Sequence, residues 1–194
     1  MASMFSSPPP EPCPSQSGWA DAVLKAIAKL KEVKINFLAI DFDQTILDIH
    51  TGGRWHGTAA ELAKHVRPLF RDLIAAAIAE GIYVAVVTFT PQTGFVAEVL
   101  ERTFGEKGRQ IPIRGADRSW KFSGNGSTKG KQPHMASAVA ELEGVYGADI
   151  TKETTLLIDD DAKNIRVSLH EGVRAIWLNP EKPNRLLNDI GKLI

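Results

Sequence analysis

Acidic and hydroxyl side chains stand at the ends of three apolar segments in the sequence. In NFLAIDFDQTILD, residues 36–48, the apolar run ends in two aspartates separated by one residue, and three further aspartates follow the run TTLLI. In chain order, the polar side chains at these ends are Asp41, Asp43, Thr88, Asp159, Asp160 and Asp161. Open parallel sheets bind ligands at the carboxyl ends of their strands. If the apolar runs are parallel strands, the sequence predicts one polar site at that edge of the sheet.

Carboxylates gathered at one edge would repel each other and resist ionisation unless a cation neutralised them. A ligand set made of oxygen atoms suits Mg²⁺, so the two aspartate clusters predict a magnesium site. The alternative is that each aspartate caps a helix or lies in a loop, the common role of Asp after a strand. Two clusters favour the metal, and Asp161 is the best candidate for an ordinary cap.

Strand and helix patterns alternate around these residues. Short apolar runs predict strands, and apolar residues spaced by three and four predict helices. The predicted strands cover 35–41, 82–89, 111–114, 154–160 and 173–178, and the predicted helices cover 58–80, 90–104, 134–147 and 161–172. Parallel neighbours need crossovers, which cover both faces of a sheet. The sequence therefore predicts an α/β fold: a three-layer, Rossmann-like, five-stranded parallel sheet with helices on both faces.

The N-terminal residues differ in composition from the rest of the chain. Residues 1–17 contain five prolines and five serines, which predicts a disordered tail. Residues 18–34 carry apolar side chains at helical spacing, which predicts an amphipathic helix before the main domain at 35–194. The tail and this helix are the segments that we expect to dock a protein partner.

Bulk properties restrict the compartment and the partners. The 23 basic and 23 acidic side chains cancel, so no global field recruits nucleic acid or an anionic membrane. The single cysteine, Cys13, cannot form an intramolecular disulfide, which favours a reducing compartment. No stretch reaches the roughly 18 apolar residues of a transmembrane helix. These properties predict a soluble, cytoplasmic protein that does not contact membranes.

Four sequence motifs, in order, resemble those of the haloacid dehalogenase (HAD) superfamily. DFDQT resembles its DxDx[TV] motif, the hydroxyl that ends VAVVTF its second motif, a lysine before a helix its third, and LIDDDAKNI its acidic fourth. The resemblance runs from about residue 35 to 178 and implies a HAD-like catalytic domain. It also implies Mg²⁺-dependent hydrolysis of a phosphomonoester. One departure is Gln44, where the family frequently has glycine.

The resemblance implies a role for each motif residue. Asp41 is the expected nucleophile, which forms an aspartyl-phosphate, and Asp43 the expected acid and base, with its backbone carbonyl on the metal. Thr88 is expected to bind a phosphoryl oxygen, and Lys131 to neutralise the phosphate and the nucleophile. Lys129 is the alternative to Lys131, which is favoured because it directly precedes the predicted helix. The expected metal ligands are Asp41, Asp43, Asp160 and Asp159, and Asn164 is a further candidate that could hold a metal-bound water.

The intervals between motifs are too short for a large cap domain. Residues 46–57 have a Gly52-Gly53 turn and resemble the small flap of the family, which would place His50, Arg54, Trp55 and His56 over the site. Of these, Arg54 and His56 are predicted to bind substrate; the alternative is a surface hairpin. An open site in this family often acts on macromolecules.

Three functions are therefore compared. The first is a phosphatase for a macromolecule, either a phosphoprotein or a nucleic-acid end, which is favoured by the open site. The seven basic against two acidic residues in 103–134 could attract such a substrate; the alternative is that they form a solvated loop. The second is a phosphatase for small metabolites, with the flap and the loop at 115–130 as a lid. The third is a non-catalytic binding or scaffold protein of the same fold, against which the complete set of motif residues argues.

Overall fold

Five short apolar segments form one parallel sheet in the computed structural model, which describes residues 20–121 and 129–194. The strands are β1 (Phe37–Ile40), β2 (Tyr83–Val87), β3 (Ile113–Arg114), β4 (Thr155–Asp159) and β5 (Arg174–Trp177). Their order is β3-β2-β1-β4-β5, and all neighbours are parallel. The chain crosses from one side of β1 to the other between β3 and β4. The switch point of the sheet, where ligands bind in such folds, therefore lies at β1.

Helices cover both faces of this sheet. They are α1 (Ala20–Glu32), α2 (Ala59–Ala63), α3 (Pro68–Ala79), α4 (Thr93–Phe104), α5 (Glu106–Arg109), α6 (Gln132–Tyr146), α7 (Ala162–His170) and α8 (Arg185–Ile190). Alternate residues of β1 enter different apolar clusters, because side chains of a strand point to opposite faces. Leu38 and Ile40 pack with α1, α3, α4 and α8, while Phe37 and Ala39 pack with α6 and α7. The predicted three-layer α/β fold is confirmed.

The predicted helix at 58–80 is wrong as a single element. The structure has two helices there, α2 and α3, because Pro68 has no N–H to donate and occupies the first turn of α3. Thr58 caps α2: its side chain accepts a hydrogen bond from the backbone N–H of Glu61, whose side chain accepts from the N–H of Thr58. The short helices α5 and α8 were not predicted.

The N-terminal helix is present in the described residues as Ala20–Glu32, so it ends two residues before the predicted 34, while residues 18 and 19 lie outside the described residues. Its buried residues, Val23, Ala26, Ile27 and Leu30, form the predicted apolar stripe, and it packs against α3 and α8. Lys34 has a left-handed φ of 63° just after the helix ends. The predicted tail at 1–17 lies outside the described residues.

The connections beside the site are short. Between β1 and β2, where every residue is described, the chain holds a wide turn (Phe42–Ile46), the segment 46–57, α2 and α3, but no inserted domain. Segment 46–57 turns at Gly52 and Gly53, both with positive φ. It forms no paired strands apart from a bridge between Leu47 and Val66, so the expected flap is a loop rather than a hairpin. Within residues 20–121 and 129–194, no helix is long and apolar enough to cross a membrane.

Candidate functional site

Asp41 and Lys131 form a buried ion pair at the carboxyl end of β1. The Nζ of Lys131 donates to Oδ1 of Asp41 at 2.6 Å and to the carbonyl oxygen of Val87, at the end of β2, at 2.8 Å. The same Nζ lies 4.1 Å from the centre of the Phe89 ring, a cation–π contact. Lys131 has no exposed surface, although lysine is almost never fully buried without a partner. The buried ammonium therefore needs a negatively charged partner, which Asp41 supplies.

The backbone before α6 delivers this lysine. Lys131 is the N-cap residue of α6, and Gly130 before it has a left-handed φ of 52°. A Cβ at Gly130 would lie 3.3 Å from Oδ1 of Asn164, so space and backbone both favour glycine. Lys129, the alternative in the sequence, is exposed. The structure therefore brings Lys131, rather than Lys129, to Asp41.

Three carboxylates converge beside this ion pair. Asp41, Asp159 and Asp160 each offer one oxygen atom, and these atoms lie within 4.8 Å of one another. Asp159 accepts hydrogen bonds from the backbone N–H of Asp161 at 2.8 Å and from Nδ2 of Asn164 at 2.9 Å. Asp160 accepts one from the hydroxyl of Thr45 at 3.3 Å. The predicted meeting of the two aspartate clusters is thus present.

Burial and mutual repulsion make this trio hard to ionise. Burial raises the pKa of Asp41 to about 6, although the ammonium of Lys131 opposes the shift. Burial, together with the charge of Asp41, raises the pKa of Asp159 to about 8. Burial also raises the pKa of Asp160. At neutral pH, the three groups cannot all carry a charge at low cost unless a cation joins them.

Asp161 and Asn164 have structural roles in α7. The side chain of Asp161 caps the helix by accepting a hydrogen bond from the N–H of Lys163 at 2.7 Å, as its sequence position indicated. Asn164 is buried, and its amide fixes one oxygen of Asp159. Both residues therefore orient the acidic cluster from its α7 side.

Asp43 faces the flap rather than the carboxylate trio. Its two oxygens accept hydrogen bonds from the N–H and the hydroxyl of Thr51, at 2.8 and 3.1 Å. The turn between them contains Gln44, which takes a left-handed φ of 56°, the region that glycine fills most easily. This explains in physical terms why glycine would suit that position. The carboxylate of Asp43 is therefore fixed by a residue of the flap and lies outside the trio, while it lines the same cavity.

Thr88 lies directly after β2 and is buried. Its hydroxyl oxygen accepts a hydrogen bond from the N–H of Thr90 at 3.2 Å, and its N–H donates to the carbonyl of Arg114 in β3. Because a hydroxyl can donate as well as accept, the Thr88 hydroxyl can still donate its own proton to a second acceptor. Thr88 can therefore donate to an anion that binds in the cavity beside Asp41 and Lys131.

These side chains share one open cavity of about 580 Å³. Besides the catalytic candidates Asp41, Asp43, Thr88, Lys131, Asp159 and Asp160, its walls include Gln44, His50, Gly52, Gly53, Phe89, Thr90, Asp161 and Asn164. Its volume and its polar lining fit a phosphate and part of the group that carries it. The structure thus brings together most of the predicted site.

Arg54 and His56 do not line this cavity. Both are exposed, because the chain after the Gly52-Gly53 turn is held against the start of α4: the N–H of Trp55 donates to Oε1 of Gln92 at 2.5 Å, and Nε2 of Gln92 donates to the Trp55 carbonyl at 3.1 Å. His50 takes the wall position instead, and its Nδ1 accepts a hydrogen bond from the N–H of Gly52. Substrate binding by Arg54 and His56 stays a prediction.

The basic residues of segment 103–134 are not all available to a ligand. Arg114 is buried and donates to Oε2 of Glu141 at 2.5 Å and to Oγ of Ser137 at 2.8 Å. Its charge is therefore used inside the protein, between β3 and α6. Arg118 and Lys121, in contrast, are exposed. Only part of the predicted basic surface is present.

Sequence reasoning missed Thr51 and the wall residue Phe89, whereas His50, which was expected over the site, does line the cavity. Thr51 stands in a segment without secondary-structure signal, and its contact with Asp43 depends on how the flap folds back. Thr45 was visible as the last residue of DFDQT, but nothing in the sequence indicated its bond to Asp160. Only the short distance along the sequence between these residues and the motif residues could have indicated that they belong to the site.

The fold and the site define a class: an α/β protein with a lysine and clustered carboxylates at the carboxyl edge of a five-stranded parallel sheet. No protein-family model matches the sequence, and no curated protein matches it. Among solved structures, the chain is similar to the N-terminal part of the protein BF1531 from Bacteroides fragilis, which contains a phosphatase domain and is complexed with Mg. The identity is 17% and the TM-score 0.52, with 88% of this chain and 43% of that chain covered. This likeness shows a shared fold.

Two further solved structures match over most of their length. An uncharacterized protein from Corynebacterium glutamicum ATCC 13032 is 15% identical with a TM-score of 0.47, covering 82% of this chain and 97% of that chain. A predicted HAD-like family hydrolase from Porphyromonas gingivalis is 12% identical with a TM-score of 0.45, covering 79% and 98%. The α/β fold that the sequence predicted is shared with the Bacteroides fragilis structure, the one of these three whose TM-score exceeds 0.5.

Proposed function

We propose that this protein is a Mg²⁺-dependent phosphomonoester hydrolase that works through an aspartyl-phosphate at Asp41. The observation that carries the proposal is the fully buried Lys131, which bonds Asp41 at 2.6 Å inside a cluster of three carboxylates. Burying an ammonium beside a carboxylate of raised pKa costs folding stability, and such perturbed groups cluster at functional sites. The order of the four HAD-like motifs along the chain and the fold shared with a phosphatase domain support the same reading.

The residues present fit a magnesium ion. Asp41, Asp159 and Asp160 supply only oxygen ligands, which Mg²⁺ prefers, and burial and nearby acidic groups raise their pKa values, a cost of ionisation that a bound cation would offset. By the motif resemblance, the backbone carbonyl of Asp43 would complete the protein ligands. When bound, the metal would neutralise the carboxylates and the phosphate, which otherwise repel one another.

In the first step, a carboxylate oxygen of Asp41 attacks phosphorus, and the bond from phosphorus to the substrate oxygen breaks. Asp43, in its protonated form, gives its proton to that leaving oxygen, so the alcohol departs neutral. Lys131 balances the charge of Asp41 and of the phosphoryl group, and the Thr88 hydroxyl donates to a phosphoryl oxygen. The products of this step are the free alcohol and phosphorylated Asp41.

In the second step, the ionised Asp43 takes a proton from a water molecule, whose oxygen attacks phosphorus. The bond between phosphorus and Asp41 then breaks, which releases inorganic phosphate and restores both aspartates. Thr51 holds Asp43 through both steps, since it bonds both carboxylate oxygens. The flap thus contributes to positioning an acid and base rather than to closing the cavity.

The proposed substrate is macromolecular, either a phosphoprotein or a nucleic-acid end. The described connections contain no cap domain, and large aromatic side chains stand exposed at the rim: Phe89 is 42% exposed, and Trp177, whose Nε1 donates to the carbonyl of Asp160, is 48% exposed. A small-metabolite phosphatase is the alternative, favoured by the flap residues His50, Gly52 and Gly53 in the cavity wall. A scaffold without catalysis would have no need of the buried Lys131.

The deciding experiment is a phosphatase screen with and without Mg²⁺. It compares an aryl phosphate, sugar phosphates, mononucleotides, phosphopeptides and oligonucleotides with a terminal phosphate. We expect hydrolysis in Mg²⁺ only, with kcat/KM rising from small to large substrates. Equal rates for small and large members of one chemical class would favour the metabolite phosphatase, and no hydrolysis of any member would favour the scaffold.

Magnesium should raise the melting temperature, and more so as the pH rises. Without metal, the raised pKa values of Asp41 and Asp159 favour the folded state below the unfolded value near 4, and this contribution is lost as the pH rises through about 6 and about 8. Mg²⁺ binds the ionised carboxylates of the folded state only, so it offsets this loss. Thermal melts in Mg²⁺ and in EDTA at pH 5.5 and 8 measure the difference.

The same melts on Asp160→Ala test the location of the metal. The Mg²⁺-induced shift should shrink in this variant, while its melting temperature in EDTA should equal or exceed that of the wild type, because a half-buried carboxylate next to other acidic groups is gone. A metal shift that keeps its size in Asp160→Ala, or that is larger at pH 5.5 than at pH 8, would place the metal elsewhere.

Thr51→Val should lower kcat by about fivefold, since it removes one hydrogen bond, worth about 1 kcal/mol, from the proposed acid and base. KM should change little, because Thr51 is proposed to hold Asp43 and not to bind the substrate. Thr51→Ser retains the hydroxyl and should restore kcat, which steady-state kinetics on an aryl phosphate will show. A rise in KM with kcat unchanged, or a Thr51→Ser variant as slow as Thr51→Val, would contradict the positioning role.

A further inference from the structure

A second cavity, lined largely by aromatic rings, adjoins the proposed phosphate site. Its volume is about 310 Å³, and its walls are Phe89, Gly115, Ala116, Arg118, Trp120 and His134. Phe89 also lines the cavity that holds Asp41 and Lys131, so the two cavities share a wall. No step of the proposed hydrolysis uses this second space.

The loop that forms this cavity is fixed by its own hydrogen bonds. The hydroxyl of Thr93, in α4, donates to Asp117 at 2.5 Å, and the Trp120 ring N–H donates to the carbonyl of Gly115 at 2.9 Å. Asp117 also accepts from the hydroxyl of Ser119 at 2.8 Å. A Cβ at Gly115 would meet Thr93 at 2.4 Å, so only glycine allows this close approach to α4. The cavity is therefore built before any ligand arrives.

Three rings form a connected aromatic surface that leads away from Lys131. The Phe89 centroid lies 5.1 Å from that of His134, and the His134 centroid lies 4.7 Å from that of Trp120, both in edge-to-face arrangements. Burial and the charge of Lys131 lower the pKa of His134 to about 3, so its ring is neutral at physiological pH. Arg118, exposed and with a left-handed φ of 65°, adds a cation at the rim. Such a surface suits a planar aromatic ligand.

We propose that this ring-lined cavity binds the nucleobase of a nucleotide whose phosphate occupies the site at Asp41 and Lys131. The inference rests on the proposed function and names its substrate class: a nucleoside monophosphate or the phosphorylated end of a nucleic acid. The base stacks against the aromatic surface, and Arg118 meets its edge or a neighbouring phosphate. The exposed Lys121 adds positive charge to the same loop.

The spacing favours a nucleobase over the ring of a phosphotyrosine. The Phe89 centroid lies 4.1 Å from Nζ of Lys131 and 5.1 Å from the His134 centroid, so the Phe89 ring stands between the phosphate site and the second cavity. A group in that cavity is therefore separated from the phosphate by about the width of one ring. A tyrosine ring carries its phosphate directly and would stop at Phe89. A nucleotide has a pentose between phosphate and base, which provides the spacer that this arrangement requires.

The test compares AMP, ribose 5-phosphate and phosphotyrosine in Mg²⁺, in the wild type and in Trp120→Leu, Trp120→Phe and Tyr146→Leu. We expect a KM for AMP about tenfold below that for ribose 5-phosphate, the scale of stacking one base. Trp120→Leu should remove this difference by raising the KM for AMP alone. Trp120→Phe loses the ring N–H but keeps an aromatic ring, so it should retain the preference. Tyr146, 51% exposed and in α6, packs against Tyr83 at the start of β2, so its variant is the matched control.

Calorimetric binding of AMP and ribose 5-phosphate to Asp41→Asn, with and without Trp120→Leu, separates the two claims. Base-dependent binding that Trp120→Leu abolishes, without hydrolysis by the wild type, would support the cavity assignment and overturn the phosphatase. Hydrolysis and binding that are equal for AMP and ribose 5-phosphate, and unaffected by Trp120→Leu, would overturn the cavity assignment and leave the phosphatase intact. A Trp120-dependent preference for phosphotyrosine over AMP would also overturn the nucleobase.

Discussion

Asp41→Asn should abolish phosphatase activity, with kcat at least about 10⁴-fold below the wild type, because an amide cannot act as the nucleophile. The fold should be retained, since asparagine has almost the same shape and still offers an oxygen to the ammonium of Lys131. Burial already raises the pKa of Asp41, so a neutral side chain costs less there than a carboxylate. The melting temperature in EDTA should therefore equal or exceed that of the wild type. Steady-state kinetics on an aryl phosphate and thermal melts check both expectations.

Asp189→Asn is the matched control for this variant. Asp189 lies in α8, where it forms an exposed ion pair with Lys192, and the same chemical change there should leave kcat and KM unchanged. Asp41→Asn with a folded melting profile and wild-type rates would remove the covalent mechanism. Loss of activity in both variants would show that the assay reports general damage rather than the nucleophile.

Lys131→Met should lower kcat by about 10²-fold or more on small and large substrates alike, the scale of losing a preorganised group that stabilises the transition state. Methionine fills most of the buried space, so the loss arises from the charge rather than from a cavity. The ammonium of Lys131 holds the pKa of Asp41 below the value that burial alone would give. Without it, the acidic limb of the pH–rate profile should move to higher pH, because the nucleophile must be ionised.

Lys129→Met separates this role from general loss of positive charge. Lys129 is exposed and two residues away, so its replacement should leave kcat on a small aryl phosphate and the acidic limb unchanged. If Lys129→Met were the slow variant and Lys131→Met the normal one, the third motif would begin at Lys129 and the ion pair with Asp41 would be structural. A decrease confined to large substrates in Lys131→Met would point to binding rather than chemistry.

The parallel sheet could be predicted because its three central strands, β1, β2 and β4, are buried on both faces. Continuous apolar runs such as FLAI and TLLI leave few alternatives when turn residues and helical segments separate them. Boundaries were less well determined: the strand predicted at 111–114 is only Ile113–Arg114, because β3 pairs with β2 over two residues. The predicted helix at 58–80 ignored Pro68, although the missing N–H of proline is visible in the sequence.

The carboxylate cluster followed from sequence because strand ends converge by topology alone. The contacts that orient it did not, because they depend on loops: Thr51 reaches Asp43 only through the turn at Gly52 and Gly53. The predicted overhang of Arg54 and His56 assumed a hairpin, whereas the bonds between Trp55 and Gln92 direct that segment towards α4. The cavity formed by Phe89, Trp120 and His134 likewise joins three distant segments, which no local pattern reveals.

The most direct test of the account is to trap the phosphorylated enzyme. The wild type is mixed with an aryl phosphate and Mg²⁺, quenched in acid during turnover, and treated with borohydride, which reduces an acyl phosphate to an alcohol. Mass analysis of the peptide that contains NFLAIDFDQTILD should then show homoserine at position 41 in the complete reaction. None should appear when substrate is omitted or when Asp41→Asn is used. Turnover under the same conditions with an unmodified position 41, or with the modification at another residue, would contradict the assignment of Asp41 as the nucleophile.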